Sequence, residues 1–350
     1  MRALHLREST PIVSRARFPA WLAGSAIVLA TVVAISMGVG SFPVPPGDVA
    51  RVLWASLTGV DAGVADNVRA VVLQVRGPRV VAALAVGAAL AAAGASYQNM
   101  FRNPLVSPDI LGVSGGCALG AVTGILFSLP IAAIQALSFA GGLGAVGLVL
   151  AIGAWIRGHD RVLTLVLTGV VVGSLFGAGI AFAKYVADPY NQLPAITFWL
   201  LGSFSGVLPR DLVYALPLIA VGFVPLVLMR WRINLLSLPD DEARALGVDV
   251  GKLRLVIIVA ATLVTSAGVA IAGVIGWVGL VVPHAARLLV GAEFARVLPV
   301  SALLGAAFML LVDTLCRTIA RTELPPGVIT ALVGTPVFIV LLAATFRKAR

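Results

Sequence analysis

The segment LRLVIIVAATLVTSAGVAIAGVI, residues 253–275, is predominantly apolar and contains one charged residue, Arg254. A helix that crosses a bilayer needs about 20 predominantly apolar residues, so this segment predicts a membrane span. Outward from it in both directions, similar runs bring the predicted total to about ten spans. They are residues 20–41, 78–99, 106–127, 131–154, 162–184, 212–229, 253–275, 277–291, 298–319 and 327–346. The sequence therefore predicts an all-α polytopic membrane protein.

The composition agrees with a chain that lies almost wholly in a bilayer. Of the 350 residues, 60% are hydrophobic and only 11% are charged. A water-soluble domain could not bury that much apolar surface. We divide the chain into a cytoplasmic N-terminal tail (1–19), a ten-helix transmembrane domain (20–346) and a cytoplasmic C-terminal tail (347–350).

Positive charge indicates the orientation of the spans. Most of the 25 Lys and Arg residues fall in segments that are cytoplasmic when both termini are cytoplasmic, as the positive-inside rule requires. The net charge of +10 therefore needs no nucleic-acid partner, since this bias and anionic lipid headgroups explain it. The arginines before the first apolar run would also fit a cleaved signal peptide, but the run is long and many spans follow it. We favour a first anchor.

Residue types that carry catalysis or bind metals are rare and scattered. The two cysteines, Cys117 and Cys316, lie in predicted spans, and the three histidines have no metal-ligand partner at helical spacing. No nucleophile–base pair is evident. The glycine motif at 142–147 lies within an apolar span, so it predicts helix packing rather than a dinucleotide site. We expect no catalytic residues, no metal site and no cofactor bound by this chain.

Small residues repeat every four positions in several predicted spans. Gly169, Gly173 and Gly177 form one such stripe, and another includes Ala83 and Gly87. Small residues let helix backbones approach closely in lipid. Packing within the bundle is therefore the favoured interpretation, and lining a substrate path is the alternative.

Charged residues within the predicted spans are few. Asp313 lies in the ninth span, Lys184 at the end of the fifth and Arg287 late in the eighth. An ion-coupled transporter usually carries membrane-embedded carboxylates and broken helices. One isolated carboxylate, Asp313, gives that class little support.

A polar island, LSLPDDEARALG at residues 236–247, interrupts this apolar sequence. Pro239 followed by three acids is typical of a helix N-terminus, where carboxylates complement the positive end of the helix dipole. Gly247 is a typical helix end. We therefore predict a short helix over 239–246, on the cytoplasmic side of the membrane.

Several motifs along the chain resemble those of one known family. They are RGPR at 76–79, QNMFRNPLVSPDILG at 98–112, LLSL at 235–238 with Ala243, Leu246 and Gly247, GVIGWVGLVVPH at 273–284, LPPGV at 324–328 and GTPVF at 334–338. In this order, they resemble the FecCD-type permeases of bacterial ABC importers. The resemblance covers roughly residues 40 to 346.

The resemblance implies a fold, a location and a set of partners. The fold would be that of a type II ABC importer permease in the bacterial cytoplasmic membrane. A second permease copy or a close paralogue would complete the dimer. Two cytoplasmic ATPase subunits would hold the ATP and Mg, and a periplasmic or lipid-anchored binding protein would deliver the cargo. This chain itself would not be an enzyme.

The resemblance also assigns a role to the cytoplasmic loop at 230–252, which would dock on the ATPase. The residues that would couple to it are Leu238, Asp240, Asp241, Glu242, Ala243, Leu246 and Gly247. Pro239 stands where the family pattern leads us to expect glycine, which puts the entry into the helix in doubt. An ordinary solvated connector is the alternative, although a connector would not need the apolar residues beside the acids.

Two further sites follow from the resemblance. Arg76, Arg79 and Arg317 stand near extracytoplasmic span ends, where exposed arginines could pair with acids of the binding protein; contact with lipid headgroups or helix caps is the alternative. The path at the subunit interface would involve Gly173, Ser174, Gly177, Phe198 and Trp199.

The cargo implied by the resemblance is a metal chelate, with a ferric siderophore as the first candidate. Cobalamin, haem and oxyanions such as molybdate stay open, because no identified residue separates them. A stand-alone secondary transporter is the alternative from another class. It would need no partner, and its cytoplasmic loop would tolerate substitution.

Overall fold

The computed structural model describes residues 17–40, 42–61, 63–156 and 161–348, and every regular element in these ranges is a helix. Most of the predicted N-terminal tail, at 1–16, and the last two residues of the C-terminal tail lie outside the described residues. The helices are α1 (Phe18–Gly38), α2 (Pro46–Thr58), α3 (Asp66–Ala70), α4 (Gly77–Met100), α5 (Val113–Leu126), α6 (Ile131–Ile156), α7 (Arg161–Val186), α8 (Gln192–Leu201), α9 (Pro209–Leu228), α10 (Arg230–Asn234), α11 (Asp240–Ala245), α12 (Val250–Ala272), α13 (Val278–Val290), α14 (Phe294–Thr318) and α15 (Pro326–Lys348).

Three short segments of other helical types connect these elements. Val71–Arg76 is a π-helical turn that runs directly into α4, so α3 and α4 form one long span. Pro108–Leu111 and Leu235–Ser237 are 3-10 turns that precede α5 and α11.

Eight of the helices are long and apolar enough to cross a membrane. They match the predicted spans other than the third and the eighth, where the structure has the shorter helices α5 and α13. The third span is shortened because Pro108 begins a 3-10 turn and Gly112 adopts a left-handed conformation, with φ +75°. The eighth was predicted as a short segment, 277–291, and α13 matches it to within one residue at each end. The backbone before it, from Gly273 to Trp277, is not helical and has positive φ at both residues. The prediction of an all-helical polytopic fold is confirmed.

Helices α4 and α12 form the centre of the bundle. In the most apolar window of each, 78% and 72% of the residues are buried, against 6% for α1. Backbones meet closely around α4: a Cβ atom added to Gly87 would lie 2.2 Å from the carbonyl oxygen of Gly305, and one added to Gly94 would lie 1.8 Å from that of Gly279. The packing interpretation of the stripe on this helix is confirmed.

The stripe on α7 is divided. A Cβ atom on Gly169 would lie 2.1 Å from the carbonyl oxygen of Ile110, which is a close backbone contact. Gly173 and Gly177 have no atom of another element within 4 Å of that position. Close packing within this chain therefore explains Gly169. The Cβ positions of Gly173 and Gly177 face open space, although the backbone of Gly173 also lies near Gly112.

We predict that Gly94→Ala destabilises the folded protein by about 1–3 kcal/mol or more, because the added methyl group would overlap the backbone of α13. The matched control is Gly144→Ala on α6, where the added methyl group meets nothing within 4 Å. Thermal unfolding of the purified protein in detergent measures both. Equal unfolding midpoints for the two variants would contradict this description of the α4 contact.

Candidate functional site

The polar island folds as predicted into a short helix. The observed helix, α11, runs from Asp240 to Ala245, one residue shorter at each end than predicted. Pro239 precedes it with an extended backbone (ψ 148°), and all three acids lie in the first turn. Gly247 follows in a left-handed conformation, with φ +81°. These features agree with the rules for helix ends that led to the prediction.

The side chains of the island face two directions. Leu236 and Ala243 are buried in the protein's own core. Asp241, Glu242 and Leu246 are exposed, and 60% of Leu246 is accessible to solvent. The predicted contact of Ala243 with a soluble partner is therefore corrected, because its methyl group packs inward. The exposed group forms a small surface of mixed apolar and acidic character.

Asp240 differs from the other acids because it binds two arginines from other segments. Arg254 of α12 donates to both carboxylate oxygens, at 2.8 and 2.9 Å, and Arg102 donates to one of them at 2.7 Å. Desolvation raises the pKa of Asp240, but the hydrogen bonds and charges of these arginines outweigh it and hold the pKa below its ordinary value. The carboxylate is thus ionised at neutral pH. Its contribution to stability is lost only as the pH falls through that lowered pKa.

Amide side chains fix the segment before α11 to the core. The amide nitrogen of Asn99 donates to the carbonyl oxygen of Ile233 at 2.7 Å. The side-chain oxygen of Asn234 accepts from the backbone N–H of Phe294 at 3.0 Å. The α11 end of the bundle is therefore tied to both α4 and α14.

A cluster of charges lies at the opposite end. Arg79 donates to Asp313 at 2.8 Å and to Glu323 at 2.9 Å, and Arg317 lies 3.3 Å from Asp313. The side chains of Arg79 and Arg317 are 8% and 7% exposed, and Asp313 is fully buried. The sequence had indicated that Asp313 is an isolated carboxylate. In the structure it is instead the shared partner of Arg79 and Arg317.

Arg76 and Arg317 also donate to groups at the end of α1 and in the segment just after it. Arg76 donates to the carbonyl oxygens of Met37, at 2.6 Å, and Phe42. Arg317 donates to the hydroxyl of Ser36 at 2.8 Å. The expectation that Arg76, Arg79 and Arg317 are exposed is wrong, because the buried carboxylate and these carbonyl groups draw them inward. The alternative role as caps describes Arg76 and Arg317 better.

A cavity of about 560 Å³ opens beside the charge cluster. Phe198 and Trp199, both predicted path residues, line it together with Arg79 and Glu323. Its other walls come from mainly apolar residues of α5, α6, α8 and α12 and from the loop 202–207, which includes Ser203 and Ser205. Gly173, Ser174 and Gly177 do not line this cavity and lie on the open face of α7. The structure thus separates the predicted path residues into two groups.

Sequence reasoning missed three charged residues that the structure places at these sites, namely Arg102, Arg254 and Glu323. A charge near the start of a predicted span needs a partner. That signal could have joined Arg254 to the acids of the nearby island. Glu323 beside the LPPGV segment had no comparable signal, because its partner Arg79 is distant in sequence.

The chain is similar to several known proteins. The FecCD transport family matches residues 28–344. The chain is 38% identical to the molybdate import system permease protein of Haemophilus influenzae, over 93% of this chain and 96% of that protein. It is 41% identical to a probable iron chelatin transport system permease protein of Helicobacter pylori, over 79% of this chain and 83% of that protein.

A solved structure supports the fold directly. It is reported as an inward-facing conformation of a metal-chelate type ABC transporter, and it is 37% identical to this chain with a TM-score of 0.83. The match covers 93% of this chain and 99% of that one. The described helices therefore have the type II ABC importer permease fold.

We predict that Asp313→Asn destabilises the protein by about 3–5 kcal/mol, because it leaves two buried guanidinium groups without their shared carboxylate. The control is Asp48→Asn, which breaks a pair with Arg51, a side chain that is 60% exposed, and should cost about 0–1 kcal/mol. Unfolding of the two variants in detergent compares them. Similar losses of unfolding free energy in the two variants would show that burial of the charge cluster does not contribute to stability.

Proposed function

The chain belongs to the FecCD transport family, and from that premise we propose that its cargo is a ferric chelate of the siderophore type. It is a multi-pass permease subunit of a bacterial ABC importer and not itself an enzyme. Its relatives are named for several cargoes, among them molybdate and iron chelatin. Family membership removes the reason for the stand-alone secondary transporter.

The observation that carries the cargo proposal is the cavity between Phe198, Trp199 and the charge cluster. Its volume of about 560 Å³ and its largely apolar walls suit a bulky amphipathic ligand. A small tetrahedral oxyanion would need convergent donors that have no other partner. The cation at the rim, Arg79, is already engaged by Asp313 and Glu323.

Molybdate is the second candidate, since the Haemophilus influenzae relative named for molybdate matches almost the whole chain. Cobalamin and haem are bulky ligands as well, and the cavity alone does not separate them from a ferric chelate. Direct uptake measurements therefore decide among the four. The path would continue along Gly173, Ser174 and Gly177, whose open face on α7 is free to meet a second permease copy.

We also propose the partners and the orientation. The exposed surface of Asp241, Glu242 and Leu246, with Leu238 and Gly247 beside it, would dock one of two cytoplasmic ATPase subunits, which bind the ATP and Mg. The opposite end would receive a periplasmic or lipid-anchored binding protein. There Arg76, Arg79 and Arg317 would hold the docking surface in shape from within. With α11 in the cytoplasm, both termini would be cytoplasmic.

We predict that Leu246→Arg reduces co-purification of the ATPase about tenfold or more, since it places a large cation at the centre of the exposed surface. The control is Leu57→Arg on α2, an 84% exposed leucine at the opposite end. Pull-down of the ATPase with tagged permease measures both. Full ATPase recovery with Leu246→Arg would contradict the docking surface.

We predict that vesicles containing the complete importer take up a labelled ferric siderophore in the presence of ATP and not without it. Molybdate, cobalamin and haem are measured in parallel, each with its cognate type of binding protein, and a hydrolysis-deficient ATPase is the control. ATP-driven uptake of molybdate alone would overturn the cargo proposal and leave the family assignment intact. Uptake driven by an ion gradient without the ATPase would count against both.

A further inference from the structure

The three acids at the start of α11 have different surroundings. The side chain of Asp241 is 95% exposed and pairs only with Arg244 of the same short helix. Glu242 is also exposed. Asp240 turns inward, with 31% of its side chain exposed, and binds arginines from two other segments. The Asp240 carboxylate therefore binds residues of the permease itself rather than facing a soluble partner.

One carboxylate joins three parts of the chain. Arg254 lies in the first turns of α12 with a side chain that is only 10% exposed, and its two nitrogens engage the two oxygens of Asp240 side by side. Arg102 follows the end of α4 and adds a third bond. Paired charge-assisted hydrogen bonds of this kind fix orientation as well as distance. Movement of Asp240 therefore acts on both central helices of the bundle.

The segment that presents Arg102 is itself held firmly. Arg102 has a left-handed backbone, with φ 52°, and the N–H of Asn103 donates to the carbonyl of Gln98 at 3.1 Å. Asn99 in turn binds the backbone of Ile233. Pro104 keeps the following residues from continuing the helix. The guanidinium thus extends from a fixed turn rather than from a loose loop.

Helix α11 depends on such a link because it is too short to be stable alone. It has six residues, and isolated helices of that length do not persist in water. Only Ala243 of its side chains is buried. It is flanked by Pro239 and by the left-handed Gly247. The bonds from Arg102 and Arg254 to Asp240 therefore join this short helix to other segments of the chain.

We propose that Asp240 is a positioning residue that clamps α11 to α4 and α12, so that displacement of α11 by the ATPase moves the membrane helices. This rests on the proposed docking of the ATPase at the exposed surface of α11. The residue does not contact the ATPase. Its loss uncouples ATP hydrolysis from transport rather than preventing assembly.

The test is the ratio of cargo transported to ATP hydrolysed by the complete importer in vesicles. Asp240→Asn should lower this ratio about tenfold or more, with ATPase co-purification retained. The matched control is Glu293→Gln. It breaks a pair of similar exposure, Glu293 with Arg296 at 2.7 Å, that joins residues three apart at the start of α14. This variant should keep the ratio of the unaltered protein.

A double-variant comparison tests the contact itself. Arg254→Gln should lower the ratio as well, and adding it to Asp240→Asn should cause little further loss, because both remove the same link. Asp240→Glu, which keeps the charge, should recover part of the ratio. Independent, additive losses would overturn the proposal.

The mobility of α11 distinguishes a positioning role of Asp240 from direct contact of Asp240 with the ATPase. A spin label at Leu246→Cys in the permease alone should become more mobile with Asp240→Asn, and the two native cysteines are buried. Loss of ATPase binding with unchanged label mobility would assign Asp240 to the docking surface and overturn the proposal. If the unaltered importer fails to bind an ATPase at all, the proposed function fails instead.

Discussion

The close approach of α4 to its neighbours is the contact on which the rest of the structure depends. In a bilayer, helices gain nothing from moving apolar side chains out of water, so their association depends on packing and on internal hydrogen bonds. At Gly87 and Gly94 the backbone of α4 meets the backbones of α14 and α13 with no room for a side chain. This contact places α4 at the centre, where most of its residues are buried.

The polar contacts of the protein gather at the two ends of this central helix. At one end Arg79 meets Asp313 and Glu323, and beyond the other end Asn99 and Arg102 hold the segment that carries α11. Charges are costly in hydrocarbon unless they are paired. Ion pairs at the ends of α4 therefore fix its neighbours.

The features that depend on local chemistry could be predicted from the sequence. Apolar length predicted most spans, and Pro239 with its following acids predicted α11 to within one residue at each end. The shortening of the third span was missed, because hydropathy does not register the left-handed backbone at Gly112.

The features that depend on distant partners could not be predicted. From the sequence, Arg79 was predicted to be an exposed cation. Its partner Asp313 is 234 residues away in the sequence, and no neighbouring residue indicates the contact. The same holds for Asp240, which looks like its two neighbouring acids until Arg102 and Arg254 are placed beside it. Direction of a side chain, inward or outward, is decided by the tertiary fold rather than by residue type.

Arg79 lies near one end of the central helix α4, whose other end holds the segment before α11. Its side chain belongs to the charge cluster and also lines the cavity with Phe198 and Trp199. It lies near the start of α4, which is helical from Gly77 to Met100 and so extends about 36 Å at 1.5 Å per residue. The backbone contacts at Gly87 and Gly94 lie between its two ends. Arg79 at the cavity and Asn99, which holds the segment before α11, are therefore side chains of one continuous helix.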